Sequence, residues 1–134
     1  MKVAVDTNVL VRSLIRDGSE QTAAAMRCMR ENEVVVVPTV LLEAEWVLRD
    51  VFELKPAQIA DAFEKLFGLF TVTIVQRETV ARALLAFQSG CDFADAMHSA
   101  FAGGVEAFVT FDKRFARRGN SLGLAPPIRL LAVG

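Results

Sequence analysis

Acidic side chains are the residues of this chain whose types and spacing could do chemistry. Asp6 directly follows the β-branched run Val3–Val5, and Asp112 lies two residues past a second run ending at Thr110. Glu43 falls in the opening turns of a helix after Val34–Val37, while Asp92 and Asp95 open another helix ahead of Gly103. In an open parallel sheet, sites form beyond the carboxyl ends of the strands, where loops and helix starts converge. The junctions therefore place up to five carboxylates on one edge of such a sheet, with no Lys or Arg at the same positions. Like charges within ~4–6 Å raise one another's pKa, so a full cluster stays ionised only around a cation. Oxygen-only donors fit a hard divalent ion, Mg2+ or Mn2+, which would activate water and neutralise phosphoryl oxygens in phosphodiester hydrolysis. Each acid also has a plainer use. Asp6, Asp92 and Asp112 are placed to cap helices, and Asp95 to sit in a first turn favoured by the helix dipole. Their shared place in the topology makes capping a weak explanation for all of them.

Other chemistries fail on residue supply. The single histidine, His98, follows Asp95 by three residues on one helix face; a ligand or shuttle role is open to it, and a structural one is expected. No Gly-x-Ser-x-Gly and no Gly-x-x-x-x-Gly-Lys occurs, and Gly103-Gly104 lacks the dinucleotide spacing, so a serine triad and nucleotide binding of those kinds are not expected. Cys28 and Cys91 form no CxxC pair and read as small buried hydrophobes in a reduced setting.

The elements that must position the acids follow from patterning. Val3–Val5 reads as a strand, Thr7–Ile15 as a cap leading into a helix, and Ser19–Glu31 as a second helix. The unalternating Val34–Val37 is expected of a strand covered on both faces, ended by Pro38. A helix over Thr39–Phe52 carries the stripe Val40, Ala44, Val47, Leu48 and Val51, with Glu43 and Glu45 on its opposite flanks. Lys55-Pro56 opens another, with Ile59, Phe63, Leu66, Phe67 and Phe70 as its apolar face. Val72–Val75 is a third strand, Glu78–Gln88 and Asp92–Ala102 are helices, Ala107–Thr110 is a fourth strand, and Ile128–Val133 reads as a short edge strand. Alternation of strand and helix predicts an α/β class, a three-layer α/β/α sandwich around a mostly parallel sheet of four to five strands.

Composition agrees with a folded core. Of 134 residues 53% are hydrophobic and 23% charged, with eight Gly and four Pro, which predicts one domain over residues 1–134 without disulfide staples. An aspartate at position 6 interrupts the N-terminal apolar run before a signal-peptide core could form, and no stretch approaches the ~20 apolar residues of a membrane helix, so a cytoplasmic protein is expected. Net charge is formally −1, which draws no nucleic acid globally. Locally, Lys113, Arg114, Arg117 and Arg118 cluster, either as a solvated face or as a phosphate-steering patch.

Four short segments together resemble the PIN-domain ribonucleases, and within them the VapC-like toxins of toxin-antitoxin pairs. They are Val-Asp-Thr-Asn-Val-Leu-Val-Arg at 5–12, Leu-Leu-Glu-Ala-Glu-Trp-Val-Leu at 41–48, Asp-Phe-Ala-Asp-Ala at 92–96 and Thr-Phe-Asp at 110–112. Each is weak alone; their order and spacing are specific. The resemblance implies that Asp6, Glu43, Asp95 and Asp112 are the catalytic, metal-holding acidic quartet, with Asn8 and Thr110 supporting it and Asp92 a nearby polar contributor. It selects Glu43 over Glu45 because the family's glutamate stands three residues before the aromatic position, here Trp46. It implies Mg2+- or Mn2+-dependent endoribonuclease action leaving 5′-phosphate and 3′-hydroxyl ends, a structured RNA substrate such as tRNA, a homodimer and a cognate antitoxin. Lys113, Arg114, Arg117 and Arg118 would then help hold RNA. Two other readings remain. Asp6 could be the nucleophile of a haloacid-dehalogenase-like phosphatase, although Asn8 stands where that chemistry wants a second acid. Alternatively the chain could be a non-catalytic PIN-like module that binds RNA or a partner.

Overall fold

A computed structural model describes residues 1–133 of the chain. It comprises two compact units, the first Met1–Arg77 and the second from Glu78 onward.

The first unit is built on a parallel three-stranded sheet in the order β1-β2-β3, with β1 at Lys2–Ala4, β2 at Glu33–Val36 and β3 at Val72–Ile74. Val3 pairs with Val34, and Val34 with Val72. Parallel neighbours need long crossovers, and helices supply both: α1 (Thr7–Leu14) and α2 (Glu20–Glu31) join β1 to β2, and α3 (Pro38–Asp50) and α4 (Pro56–Phe67) join β2 to β3. Helix starts follow local chemistry. Ser19 caps α2 by accepting from the Thr22 N–H at 3.1 Å. Pro38 and Pro56 occupy first-turn positions of α3 and α4, where no amide hydrogen is needed. Pro38 thus begins the helix as well as ending the strand, and Val37 becomes its N-cap instead of a strand residue. The core is Leu10, Val11, Val34, Val36, Leu41, Leu48, Ile59, Phe63 and Leu66, all nearly inaccessible to solvent. Val35, between two buried valines, is only half-buried, so β2 is less covered than its unbroken apolar run predicts. The stripe on α4 ends sooner than its spacing suggests: the helix stops at Phe67, and Phe70 lies beyond it, fully exposed.

The second unit contains α5 (running from Arg77 at the boundary to Gln88), α6 (Phe93–Ala100), β4 (Phe108–Thr110), α7 (Lys113–Ser121) and β5 (Ile128–Leu130). Its two strands pair in parallel, Phe108 with Ile128 and Thr110 with Leu130. Phe87 meets Phe93 edge-on at 5.2 Å between ring centroids, and Phe108 meets Phe115 at 6.2 Å. The α/β class, the parallel pairing and the five strands match expectation; the single sheet does not, because the strands divide into one sheet of three and one of two. Strands of three or four residues carry few ladder hydrogen bonds, and short apolar runs name no pairing partner. The stretch after Asp112 is a full helix, α7, that the sequence reading treats mainly as a charge cluster.

Candidate active site

Asp6 follows β1 and is the N-cap of α1, with extended backbone and Oδ1 accepting the Val9 N–H at 2.9 Å. The next residue, Thr7, opens the helix, and its hydroxyl donates to Glu43 Oε1. The first unit therefore ties Glu43 to the residue adjoining Asp6. On α3 the buried face is Leu41, Ala44, Glu45 and Leu48. At ~100° per residue Glu43 points about 150° from the centre of that face, while Glu45 lies within it. The expected stripe was thus rotated: Val51, one of its members, is 61% exposed. Glu45 is only 3% exposed and accepts from Arg49 Nε at 2.8 Å one turn on. Glu43, exposed and held by Thr7, is the glutamate free of the core.

In the second unit Asp92 caps α6, its Oδ2 accepting the Asp95 N–H at 3.0 Å. Asp112 caps α7, its Oδ1 accepting the Phe115 N–H at 3.0 Å, and its own N–H donates to Thr110 Oγ1 at 3.0 Å. Thr110 therefore orients the backbone at Asp112. Asp95 is half-buried, and its carboxyl holds its proton more tightly than usual, first through burial and then through the charges of Asp92 and Asp112, eased by His98. Among the described residues none of Asp6, Glu43, Asp92, Asp95 and Asp112 pairs with a lysine or arginine.

The donors fit a hard divalent ion in kind. All are oxygens; each capping carboxylate spends one oxygen on the helix and keeps a second able to accept; and the repulsion felt by Asp95 is what a cation relieves. Among the described residues no three His, Cys, Asp or Glu side chains draw close enough to hold a metal ion by themselves.

The family model described as the PIN domain matches residues 3–120. The chain belongs to the PIN domain family. PIN domains are generally metal-dependent nucleases, so at that level hydrolase chemistry on nucleic acid follows from membership. The match runs through all four acid-bearing segments and into α7, and stops short of β5. No curated protein matches the chain in sequence. No helix among the described residues is long and apolar enough to cross a membrane.

The basic cluster of this PIN domain divides in two. Lys113, Arg114 and Arg117 are exposed on α7. Arg118 is exposed as well, and its Nη1 donates to the Ser89 carbonyl at 2.9 Å. Asn8 is exposed in the first turn of α1. Thr7 is the residue that sequence reasoning missed. It stands between two residues already singled out, but its partner is 36 positions away, and nothing local signals that reach.

Proposed function

We propose that this PIN domain is a metal-dependent endoribonuclease, the VapC-like toxin of a toxin-antitoxin pair, with Asp6, Glu43, Asp95 and Asp112 as its acidic quartet. The observation that carries the reading is Asp95, whose carboxyl holds its proton tightly through burial and then through the charges of Asp92 and Asp112, while among the described residues none of the three acids forms an ion pair with a lysine or arginine. A protein that wanted only helix caps would gain by neutralising such a group with a nearby lysine or arginine. When bound, a divalent cation would supply positive charge for a phosphoryl oxygen and a more acidic water. The chain's own part is placement. Asp6 and Asp112 present carboxylates fixed by their caps, Thr7 fixes Glu43, and Thr110 fixes the backbone at Asp112. Lys113 and Arg114 stand at the positive end of the α7 dipole, where cations are disfavoured. Phosphate would offset that cost, which supports a role for these two in holding RNA, with the exposed Arg117 beside them in sequence.

The substrate class is RNA, of which a structured RNA such as tRNA is the leading candidate, and either Mg2+ or Mn2+ would serve. A homodimer and a cognate antitoxin fit the apolar side chains exposed on α3 (Trp46) and just past the ends of α3 and α4 (Val51, Leu69 and Phe70). A cytoplasmic setting belongs to the same reading. The haloacid-dehalogenase-like alternative loses its support to the family match.

Incubation of purified protein with RNA, with and without Mg2+ or Mn2+, tests the reading. Cleavage should need the metal, stop with EDTA and leave 5′-phosphate ends. Cutting that persists in excess EDTA would overturn the metal mechanism. RNA bound but never cut, with either metal, would favour the non-catalytic module.

A further inference from the structure

Arg118, exposed on α7, has its guanidinium turned onto the turn that leads into α6. Its Nη1 donates to the Ser89 carbonyl at 2.9 Å. At the next residue, Gly90, the backbone has φ +102°, and a Cβ built there would lie 2.9 Å from Nη1 and 3.3 Å from Cζ of Arg118. The guanidinium thus lies against a backbone that only glycine leaves open. The residues that follow are Cys91, buried, and Asp92, the cap of α6. Arg118 also stands ~9 Å along α7 from Asp112, the cap at the other end of the same helix.

We infer that Arg118 is a positioning residue: from α7 it clamps the 89–91 turn, and so holds Asp92 and Asp95 in register with Asp112 on the helix that carries the clamp. One helix then fixes the placement of three acids, one by capping and two through a remote guanidinium. The clamp is a statement about structure. Its consequence for catalysis rests on the nuclease reading above.

The geometry explains three features at once. The turn's own backbone bonds, Gly90 N–H to the Phe87 carbonyl at 3.0 Å and Cys91 N–H to the Ala86 carbonyl at 3.0 Å, tie it to α5 but leave the Ser89 carbonyl to α7. Gly90 is required both by its positive φ and by the space that Arg118 fills. Arg118 also stands among charges of opposite sign: burial makes Cys91 hold its proton tightly, the Arg118 charge loosens it, and Asp95 and Asp92 tighten it again.

Amide hydrogen exchange on the full chain tests the clamp without reference to activity. In Arg118→Ala the amides of Gly90, Cys91, Asp95 and Ala96 should exchange about tenfold faster or more, while α2 and α4 keep their protection. Unchanged exchange at those four amides would overturn the clamp. The catalytic consequence is read by Mn2+ affinity, measured by electron paramagnetic resonance, and by RNA cleavage. Arg118→Ala should weaken Mn2+ binding and lower kcat about tenfold each, with KM within about twofold and the salt dependence of KM unaltered. Arg118→Lys, which can donate to Ser89 but cannot cover Gly90, should recover part of both losses. A raised KM with a shallower salt dependence and intact Mn2+ affinity would make Arg118 an RNA contact and overturn the positioning role. If the parent neither bound Mn2+ nor cut RNA, the nuclease reading would fail, and the exchange result would still decide the clamp.

Discussion

Glu43 and Glu45, two residues apart, show how about half a turn of helix separates two roles. Glu43 is exposed and bonded to Thr7, so Glu43→Gln should cut metal-dependent RNA cleavage by at least about 100-fold with little change in thermal stability. Glu45 is buried with Arg49 as a partner, so Glu45→Gln should leave cleavage within a few-fold and cost stability, about 1–2 kcal/mol. Arg49→Met should cost more, about 3 kcal/mol, because it leaves Glu45 buried without that guanidinium. Denaturant melts of the three variants beside their cleavage rates check the contrast, and a cleavage loss larger in Glu45→Gln than in Glu43→Gln would refute it. Asp17 offers a separate test. Hydrogen bonds from Ser19 and Thr22 lower its pKa from 3.8 to about 2, with the Arg12 charge a smaller contribution. A lowered pKa stabilises the fold above the unfolded value and is lost as pH falls through the folded one. The melting-temperature gap between the parent and Asp17→Asn should therefore be full above pH 4 and close between pH 3.8 and about 2. A gap that widened on acidification would contradict the sign.

At the scale of elements, Asn120 does work that its sequence position conceals. Its side-chain amide donates to the Ile128 carbonyl at 2.7 Å and accepts the Ile128 N–H at 2.9 Å, imitating a neighbouring strand at the start of β5. Asn120→Ala leaves both Ile128 groups to find other partners, and Ile128 is buried, so the variant should lose about 1–3 kcal/mol. Asn120→Asp keeps the acceptor but, when ionised, loses the donor and sets a carboxylate against the Ile128 carbonyl, so its loss should shrink at low pH, where the protonated carboxyl can donate again; chemical denaturation of the pair measures both. Helices were legible in the sequence because their signals are local: Ser19, Pro38 and Pro56 mark starts, and the Ile59, Phe63 and Leu66 spacing marks a face that is indeed buried. Strand pairing was not, because three-residue strands hold too little pattern to name a partner. The face of α3 was misjudged for a different reason. A buried Glu45 with its own cation looks polar in sequence and counts as core in space.

Across the whole chain, Asp6, Glu43 and Asp112 of the proposed site stand out because they follow strands, a place that topology alone can pick out, whereas Asp92 and Asp95 follow α5 at a junction between helices. Their division of labour does not stand out, since Thr7 meeting Glu43 and Arg118 meeting Ser89 are contacts between distant positions. The same division predicts how the molecule meets RNA. Lys113, Arg114 and Arg117 are exposed, and each phosphate neutralised adds ~0.7 to the slope of log affinity against log salt for a single strand. Replacing all three with alanine should flatten that slope by about 2 and raise KM, with kcat on saturating RNA nearly intact. A slope unchanged in the triple variant would remove these cations from the RNA surface. Light scattering at tens of micromolar should show a dimer; a strict monomer would assign the exposed Trp46 and Phe70 to another partner.

Asp6, Asp92 and Asp112 each begin a helix, whereas Glu43 and Asp95 cap nothing. Asparagine and serine cap nearly as well as aspartate, and alanine does not. A lineage of this chain released from selection for activity would still be selected for folding. Its first three acids would decay to asparagine or serine and stop there, while the other two would drift without restraint. Inactivity would then be written earliest at positions 43 and 95, and an aspartate surviving at 6, 92 or 112 would testify to a helix long after it had ceased to testify to a reaction.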